Sequence, residues 1–146
     1  MMKEKSITER FPYLFKLESG DLQWYESMGF IDVSELDDVS EELISAATEY
    51  ARLTLVDPDE NEFSDCSYDF MFGATWYFTN SHILQQLPNE QSENAIVIAQ
   101  IKYAKVECEN VFPDEIWTLS EAYDFVYSSK SFFLNGVDWA DKYNQN

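Results

Sequence analysis

Basic residues are scarce in this chain. It carries 9 Lys and Arg against 28 Asp and Glu, a formal net charge of −19. A protein that binds DNA or RNA through phosphates must present Lys and Arg to them, so this composition argues against direct nucleic-acid binding. An anionic membrane surface would repel the chain for the same reason.

Residues that build metal sites are also few. His82 is the only histidine, and the two cysteines, Cys66 and Cys108, lie 42 residues apart with no C-x-x-C motif. A zinc site usually needs close Cys or His pairs, which this chain lacks. We expect two buried thiols, a histidine at a helix end or on the surface, and no bound metal.

Motifs for cofactors and catalysis are missing as well. The four glycines stand alone, so no glycine-rich loop can cradle a phosphate. Residues 57–61 begin like a calcium loop, but Glu62 and Tyr68 occupy the positions where an EF-hand needs Gly and Glu. We therefore expect no cofactor and no enzymatic activity. A glycoside hydrolase built from two carboxylates and aromatic platforms is the one enzyme class that the composition leaves open.

Long apolar runs are lacking too. The first ten residues are polar, without the apolar core of a signal peptide. The longest mostly apolar run, Phe70–Phe78, spans nine residues, whereas a membrane helix needs about 20. The sequence therefore predicts a cytoplasmic protein.

The chain is nonetheless rich in material for a core. Hydrophobic residues make up 45% of it and aromatic residues 16%, which is typical of a folded protein. Its 146 residues fit one domain on the usual scale. We expect a single acidic globular domain over residues 1–146.

Apolar side chains recur at steps of three and four residues along most of the chain. This spacing predicts helices over 21–28, 34–55, 64–87, 92–110 and 113–135. Asp57-Pro58 should follow the end of the second helix, while Pro113 and Gly136 should bracket the last one. We expect a mainly α bundle of about five helices. The dense aromatics and β-branched residues leave an α+β alternative, with strands near 68–79 and 95–106.

The acidic residues are segregated. Residues 17–101 hold 18 acids and a single base, Arg52, whereas residues 1–16 carry a net charge of +2. Two clusters stand out, one on the predicted second helix (Asp38, Glu41, Glu42 and Glu49) and one in a turn-rich stretch (Asp57, Asp59, Glu60, Glu62, Asp65 and Asp69). Each cluster is either a solvated acidic surface or a docking face for a basic partner.

The leading functional hypothesis is an inhibitor that binds one basic protein. A nuclease-type toxin must present Lys and Arg to phosphates, and an acidic domain can occlude that cleft, as bacterial immunity proteins do as a class. This is an analogy of composition and role. The residues expected to contact the partner are carboxylates that accept from its Lys and Arg (Asp38, Glu41, Glu42, Asp57, Asp59, Glu60, Glu62, Asp65 and Asp69) and two aromatic anchors (Trp76 and Tyr77).

Two other functions fit the same composition. A DNA mimic of the anti-restriction type would also fill a basic groove, but it should inhibit several DNA-binding proteins. A non-inhibitory adaptor would use its acidity for solubility alone. Tyr68, Trp76 and Tyr77 follow the second acidic cluster directly, and burial in the core is the favoured fate of each. The sequence does not define an oligomeric state.

Overall fold

The computed structural model describes residues 6–109 and 118–144, and every regular element in these two ranges is helical. The elements are α1 (Ile7–Arg10), a 3-10 turn (Pro12–Phe15), α2 (Ser19–Ser27), α3 (Glu41–Thr54), α4 (Glu60–Leu84), α5 (Asn89–Glu109) and α6 (Leu119–Asn144). The mainly α prediction is confirmed. The α+β alternative is wrong, because α4 covers 68–79 and α5 covers 95–106.

Helix α3 begins seven residues later than the apolar spacing predicts. The Ser40 hydroxyl caps the helix by accepting from the backbone N–H of Leu43 at 3.2 Å. Two residues earlier, Asp38 has a φ of 52°, a left-handed conformation that a right-handed helix does not allow. The predicted start at Ser34 is therefore wrong, and residues 34–39 approach α3 without being helical.

Helix α4 begins earlier than expected, inside the stretch that we interpreted as turn-rich. The Asp59 carboxylate accepts from the backbone N–H of Glu62 at 2.8 Å and caps the helix. The chain is helical from Glu60 to Leu84. Most of the second acidic cluster therefore lies on a helix and not in a loop.

Helix α6 starts with a reciprocal capping box. The Thr118 hydroxyl accepts from the Glu121 N–H at 3.1 Å, and the Glu121 carboxylate accepts from the Thr118 N–H at 3.0 Å. The expected start at Pro113 and the expected end of α5 at Asn110 fall outside the described residues. The expected end at Gly136 is wrong, since α6 continues to Asn144.

The described residues group into two compact units. Unit 1 comprises residues 6–30, 88–109 and 118–130, and unit 2 comprises 31–87 and 131–144. Helix α6 contributes its first half to unit 1 and its second half to unit 2. Whether the two units behave as the single domain that we expect stays a prediction.

The core of unit 1 joins the N-terminal segment to α5 and α6. It is built from buried apolar residues of three stretches (Ile7, Phe15, Ala104, Cys108, Ala122 and Val126). Within the same unit, the Lys102 ammonium lies 4.9 Å from the centre of the buried Tyr25 ring. This contact places one of the few cations of the chain on an aromatic face.

Unit 2 is built around helix α4. Helix α3 packs against it as an antiparallel hairpin with a short turn at residues 55–59, and the Tyr50 and Phe70 rings lie 4.8 Å apart. The amide of Asn80, which is fully buried, holds the start of the unit against α4. Its oxygen accepts from the Ile31 N–H at 2.8 Å, and its nitrogen donates to the carbonyls of Ile31 and Trp76 at 2.9 Å.

Helices α4 and α6 meet at two glycines. A Cβ atom added to Gly73 would lie 1.9 Å from the backbone oxygen of Phe133, and one added to Gly136 would lie 1.9 Å from that of Phe70. No side chain fits between the two backbones there. Beyond the crossing, Tyr77 contacts Asp141 at 2.8 Å, so both helices leave it in the same direction. This packing explains why Gly136 lies inside α6 and does not end it.

Replacement of Gly73 by alanine should destabilise the protein by at least about 1–3 kcal/mol, because α6 must move away from α4 to make room for one methyl group. Gly20→Ala is the matched control, since no atom lies within 4 Å of that added Cβ. Alanine favours a helix over glycine, so Gly20→Ala should leave stability unchanged or raise it slightly. Denaturant unfolding of both variants tests this, and equal stabilities would contradict the assigned role of the crossing.

Candidate functional site

Most of the negative charge lies in unit 2. The described residues of unit 2 include 15 Asp and Glu but only two bases, Arg52 and Lys142, a formal net charge of −13. Those of unit 1 include 10 acids and five bases, a formal net charge of −5. A cationic partner is therefore attracted mainly to unit 2.

The two acidic clusters lie at opposite ends of the α3–α4 hairpin. The turn-end cluster comprises Asp57, Asp59, Glu60, Glu62 and Asp65, and the far-end cluster comprises Asp38, Glu41 and Glu42. Helix α3 runs between them over 14 residues, which corresponds to a separation of about 20 Å at 1.5 Å per residue. The predicted partner-binding carboxylates thus form two patches and not one continuous face.

Both clusters stabilise helix starts. Glu41 and Glu42 occupy the first turn of α3, and Glu60 and Glu62 occupy the first turn of α4. A carboxylate there interacts favourably with the positive end of the helix dipole. Part of the acidity is therefore explained by local folding, without any partner.

The same local pattern precedes both helices. Asp38 and Asp57 have φ values of 52° and 45°, and each stands two residues before a capping residue, Ser40 or Asp59. Aspartate tolerates the left-handed conformation better than most residues with a Cβ atom. The segments Asp38-Val39-Ser40 and Asp57-Pro58-Asp59 are thus equivalent turns that redirect the chain into α3 and α4.

Glu49, which we grouped with the first cluster, belongs to neither patch. Its carboxylate receives three hydrogen bonds from the Arg52 guanidinium, at 2.5, 2.6 and 3.1 Å. This ion pair on the exposed face of α3 neutralises the one arginine of unit 2.

Three of the predicted contact residues are buried. Asp69, Trp76 and Tyr77 lie on the inner face of α4, and only 2% of Trp76 is exposed. Trp76 packs against Phe133 of α6, and the Tyr77 hydroxyl donates to Asp141. These three do not lie on the surface where we expected a partner to dock, because the helical spacing turns them towards the core of unit 2.

Sequence reasoning missed two exposed apolar residues that accompany the turn-end cluster, Leu53 and Val56, and Tyr68, which was expected in the core, is exposed. Leu53 is 75% exposed, Val56 is 89% exposed and Tyr68 is 53% exposed. Leu53 lies off the inward stripe of α3, Val56 lies in the turn, and Tyr68 follows Asp65 by one helical turn. The off-stripe position of Leu53 is a signal that the sequence did contain. We call these three residues together with the turn-end cluster the turn-end surface.

Two carboxyl groups in unit 2, those of Asp65 and Asp138, have pKa values above the ordinary value for aspartate. Partial burial raises the pKa of Asp65, and the neighbouring Asp59 carboxylate raises it further. Burial also raises the pKa of Asp138, while Lys142 opposes this shift. Asp65 therefore takes up a proton at a higher pH than an isolated aspartate.

Other chemistry-bearing groups do not converge on a reactive site. Within residues 6–109 and 118–144, no group of three or more His, Cys, Asp or Glu side chains is arranged to hold a metal ion. Neither cysteine forms a disulfide, both are buried, and burial raises the pKa of Cys66 to about 12. His82 is exposed in the last turn of α4, as expected.

Unit 1 contains an open cleft of about 600 Å³. It is lined by Trp24, Val97 and four polar residues of α5 (Glu90, Gln91, Glu93 and Asn94). All six side chains are exposed or half-exposed, whereas a binding site normally encloses most of its ligand. The cleft therefore lacks the enclosure of a typical ligand site.

Within residues 6–109 and 118–144, no helix has an apolar stretch long enough to cross a membrane.

No family model matches the chain, and neither the curated proteins nor the solved structures contain a detectable relative.

The contribution of the α4 cap to stability can be separated from the effect of removing a negative charge. Asp59→Ala should lower the free energy of unfolding by about 1 kcal/mol, because the Glu62 N–H loses its acceptor. Asp57→Asn removes the same charge but keeps a residue that tolerates a positive φ, so it should have little effect. Denaturant unfolding distinguishes the two variants, and equal losses would mean that charge alone acts at this position.

The raised pKa of Asp65 makes stability depend on pH in a defined direction. In the unfolded chain the pKa of Asp65 is near 3.8, which is below its pKa in the folded protein. Protonation of Asp65 therefore stabilises the folded state, and this stabilisation is lost as the pH rises through the pKa of the folded protein. Asp65→Asn should therefore raise stability at pH 7 and reduce the stability gained on acidification towards pH 5. Asp124→Asn, an exposed site in unit 1, is the control, and an equal response of both variants would contradict this assignment.

Proposed function

We propose that the protein is a cytoplasmic inhibitor of the immunity-protein type, which binds one basic protein and occludes its cationic cleft. The partner that fits best is a nuclease-type bacterial toxin domain, because such a domain must collect Lys and Arg around its substrate phosphates. The protein itself performs no chemistry in this proposal and needs neither a metal nor a cofactor.

The turn-end surface is the observation that supports the proposal. Its five carboxylates share this end of the hairpin with three exposed apolar side chains, Leu53, Val56 and Tyr68. Protein interfaces commonly combine an apolar centre with a polar rim, and the centre supplies most of the affinity. Val56 and Leu53 are the two most exposed large apolar side chains among the described residues.

Charge would act mainly on the rate and specificity of association. Unit 2 carries a net charge of −13 in its described residues, and a field of this sign steers a cationic protein towards it. The few carboxylates desolvated in the complex would contribute affinity, while rim carboxylates would contribute little. Asp59 should keep its role as the cap of α4, so Glu60, Glu62 and Asp65 are the best candidates for direct contacts.

Removal of three charges at the two ends of the hairpin provides a matched test. The turn-end variant (Glu60→Gln, Glu62→Gln, Asp65→Asn) and the far-end variant (Asp38→Asn, Glu41→Gln, Glu42→Gln) have the same net charge and retain both caps. Each should serve, beside the wild-type protein, as a bait for proteins from the source organism at low salt. We expect one dominant basic protein that the turn-end variant binds at least about tenfold more weakly, a loss of about 1.4 kcal/mol.

The captured protein must then be purified and assayed. The proposal requires that the wild-type protein abolish its activity on nucleic acid. It also requires that association slow markedly when salt is raised from 0.1 to 1 M, since the Debye length falls from about 10 to about 3 Å. Capture of many DNA-binding proteins at once would favour the DNA mimic, and a captured protein that keeps its full activity when bound would favour the adaptor.

A further inference from the structure

Three aromatic rings gather near the C-terminal ends of α4 and α6, away from the hairpin turn. The Trp139 and Tyr143 rings, one helical turn apart on α6, are stacked with centroids 5.1 Å apart and an interplanar angle of 25°. The Phe78 ring of α4 stands nearly perpendicular to both, at 6.2 Å from Trp139 and 6.0 Å from Tyr143. We call Phe78, Trp139 and Tyr143 the aromatic platform.

The platform is accessible to solvent. Tyr143 is 50% exposed, Phe78 is 37% exposed, and Trp139 is half-buried. Trp76, on the same helix as Phe78, lies in the core instead. Large aromatic side chains that stay at the surface dominate the energetics of protein interfaces, with tryptophan and tyrosine the most frequent contributors.

The charges around the platform select the kind of partner. On α6, Asp138 directly precedes Trp139, and Asp141 lies between Trp139 and Tyr143 in the sequence. Asp141 accepts from the Tyr77 hydroxyl, and Lys142 interacts with Asp138, so two carboxylates and one ammonium leave a net charge of −1 in this turn. The faces of aromatic rings carry a negative electrostatic potential, which adds to that of the two carboxylates. An anionic partner would meet repulsion here, whereas a guanidinium or ammonium group would be attracted by rings and carboxylates together.

We propose that the aromatic platform receives an arginine or lysine side chain of the basic partner, with the cation against a solvent-facing side of the Trp139–Tyr143 stack and within reach of Asp138, where it would share the carboxylate with Lys142. This inference rests on the proposed function only for the identity of the partner as a basic protein. The platform and the turn-end surface lie towards opposite ends of α4, about 27 Å apart along its axis between Glu60 and Phe78. A partner that spanned both would be fixed in position and orientation.

The recognition of a cation can be measured without the partner. The probe is N-acetyl-arginine amide, and its neutral isostere N-acetyl-citrulline amide is the control at matched ionic strength. The readout is the indole N–H signal of Trp139 in a two-dimensional NMR spectrum, assigned with Trp139→Phe, and the signal of the buried Trp76 serves as an internal reference. We expect a saturable shift of the Trp139 signal that is at least fivefold larger with the arginine probe.

A pair of matched variants tests the platform itself. Tyr143→Leu should reduce the arginine-induced shift at least threefold, because it removes one of the two stacked rings. Tyr127→Leu replaces another exposed tyrosine of α6 that stacks on a neighbour, Tyr123, in unit 1, and it should leave the shift unchanged. Equal shifts with arginine and citrulline, or a Tyr143→Leu response like that of the wild type, would overturn the inference.

The two proposals can fail separately. A selective response to arginine with no basic protein captured would leave the platform as a cation site and refute the inhibitor. A captured and inhibited basic protein, together with no selective response of Trp139, would restrict docking to the turn-end surface and refute the platform.

Discussion

The contact of the α4 and α6 backbones at Gly73 and Gly136 is the constraint on which unit 2 depends. Each glycine leaves room for a carbonyl oxygen of the other helix and for nothing larger. This close approach brings Trp76 against Phe133, Tyr77 against Asp141 and Phe78 against Trp139. The burial of two predicted anchors and the assembly of the aromatic platform both follow from the same crossing.

The acidic surface has two origins that the structure separates. Some carboxylates start helices, as the capping contact of Asp59 demonstrates, and others direct the chain into those helices from a left-handed backbone conformation. Asp65 lies beyond the first turn of α4, and its pKa is raised by partial burial and, to a smaller extent, by the Asp59 carboxylate. The carboxylates that neither cap α4 nor direct the chain into it are those that we propose for contact with a cationic partner.

Helical periodicity predicted much of the fold, and it failed where local and tertiary contacts override it. The mainly α class and the four long helices follow from apolar spacing. The predicted start of α3 was wrong because the left-handed conformation of Asp38 interrupts the apolar stripe that Leu36 and Val39 continue in the sequence. The predicted end of α6 was wrong because Gly136, a residue type common at helix ends, instead makes room for the backbone of α4. Ser40, Asp59 and the Thr118–Glu121 capping box are signals of helix starts that were present in the sequence and were not used.

The candidate site was predictable only in part. The sequence identified the turn-end carboxylates by their density, but it did not reveal which aromatics are exposed. Tyr68 and Tyr77 both follow the turn-end carboxylates on α4, and the packing of α4 against α3 and α6 leaves the first exposed and the second buried. The aromatic platform joins residues 61 positions apart, a proximity that no local pattern encodes.

The two thiols give the molecule a pair of internal reporters. Cys66 lies in unit 2 and Cys108 in unit 1, and both are fully buried. A thiol reagent can reach either sulfur only when the surrounding helices open, and the thiolate it needs is rare at Cys66 while the protein is folded. The labelling rates of the two cysteines therefore measure the opening of each unit independently. Equal rates would mean that the two units open together, and unequal rates would reveal which unit opens first.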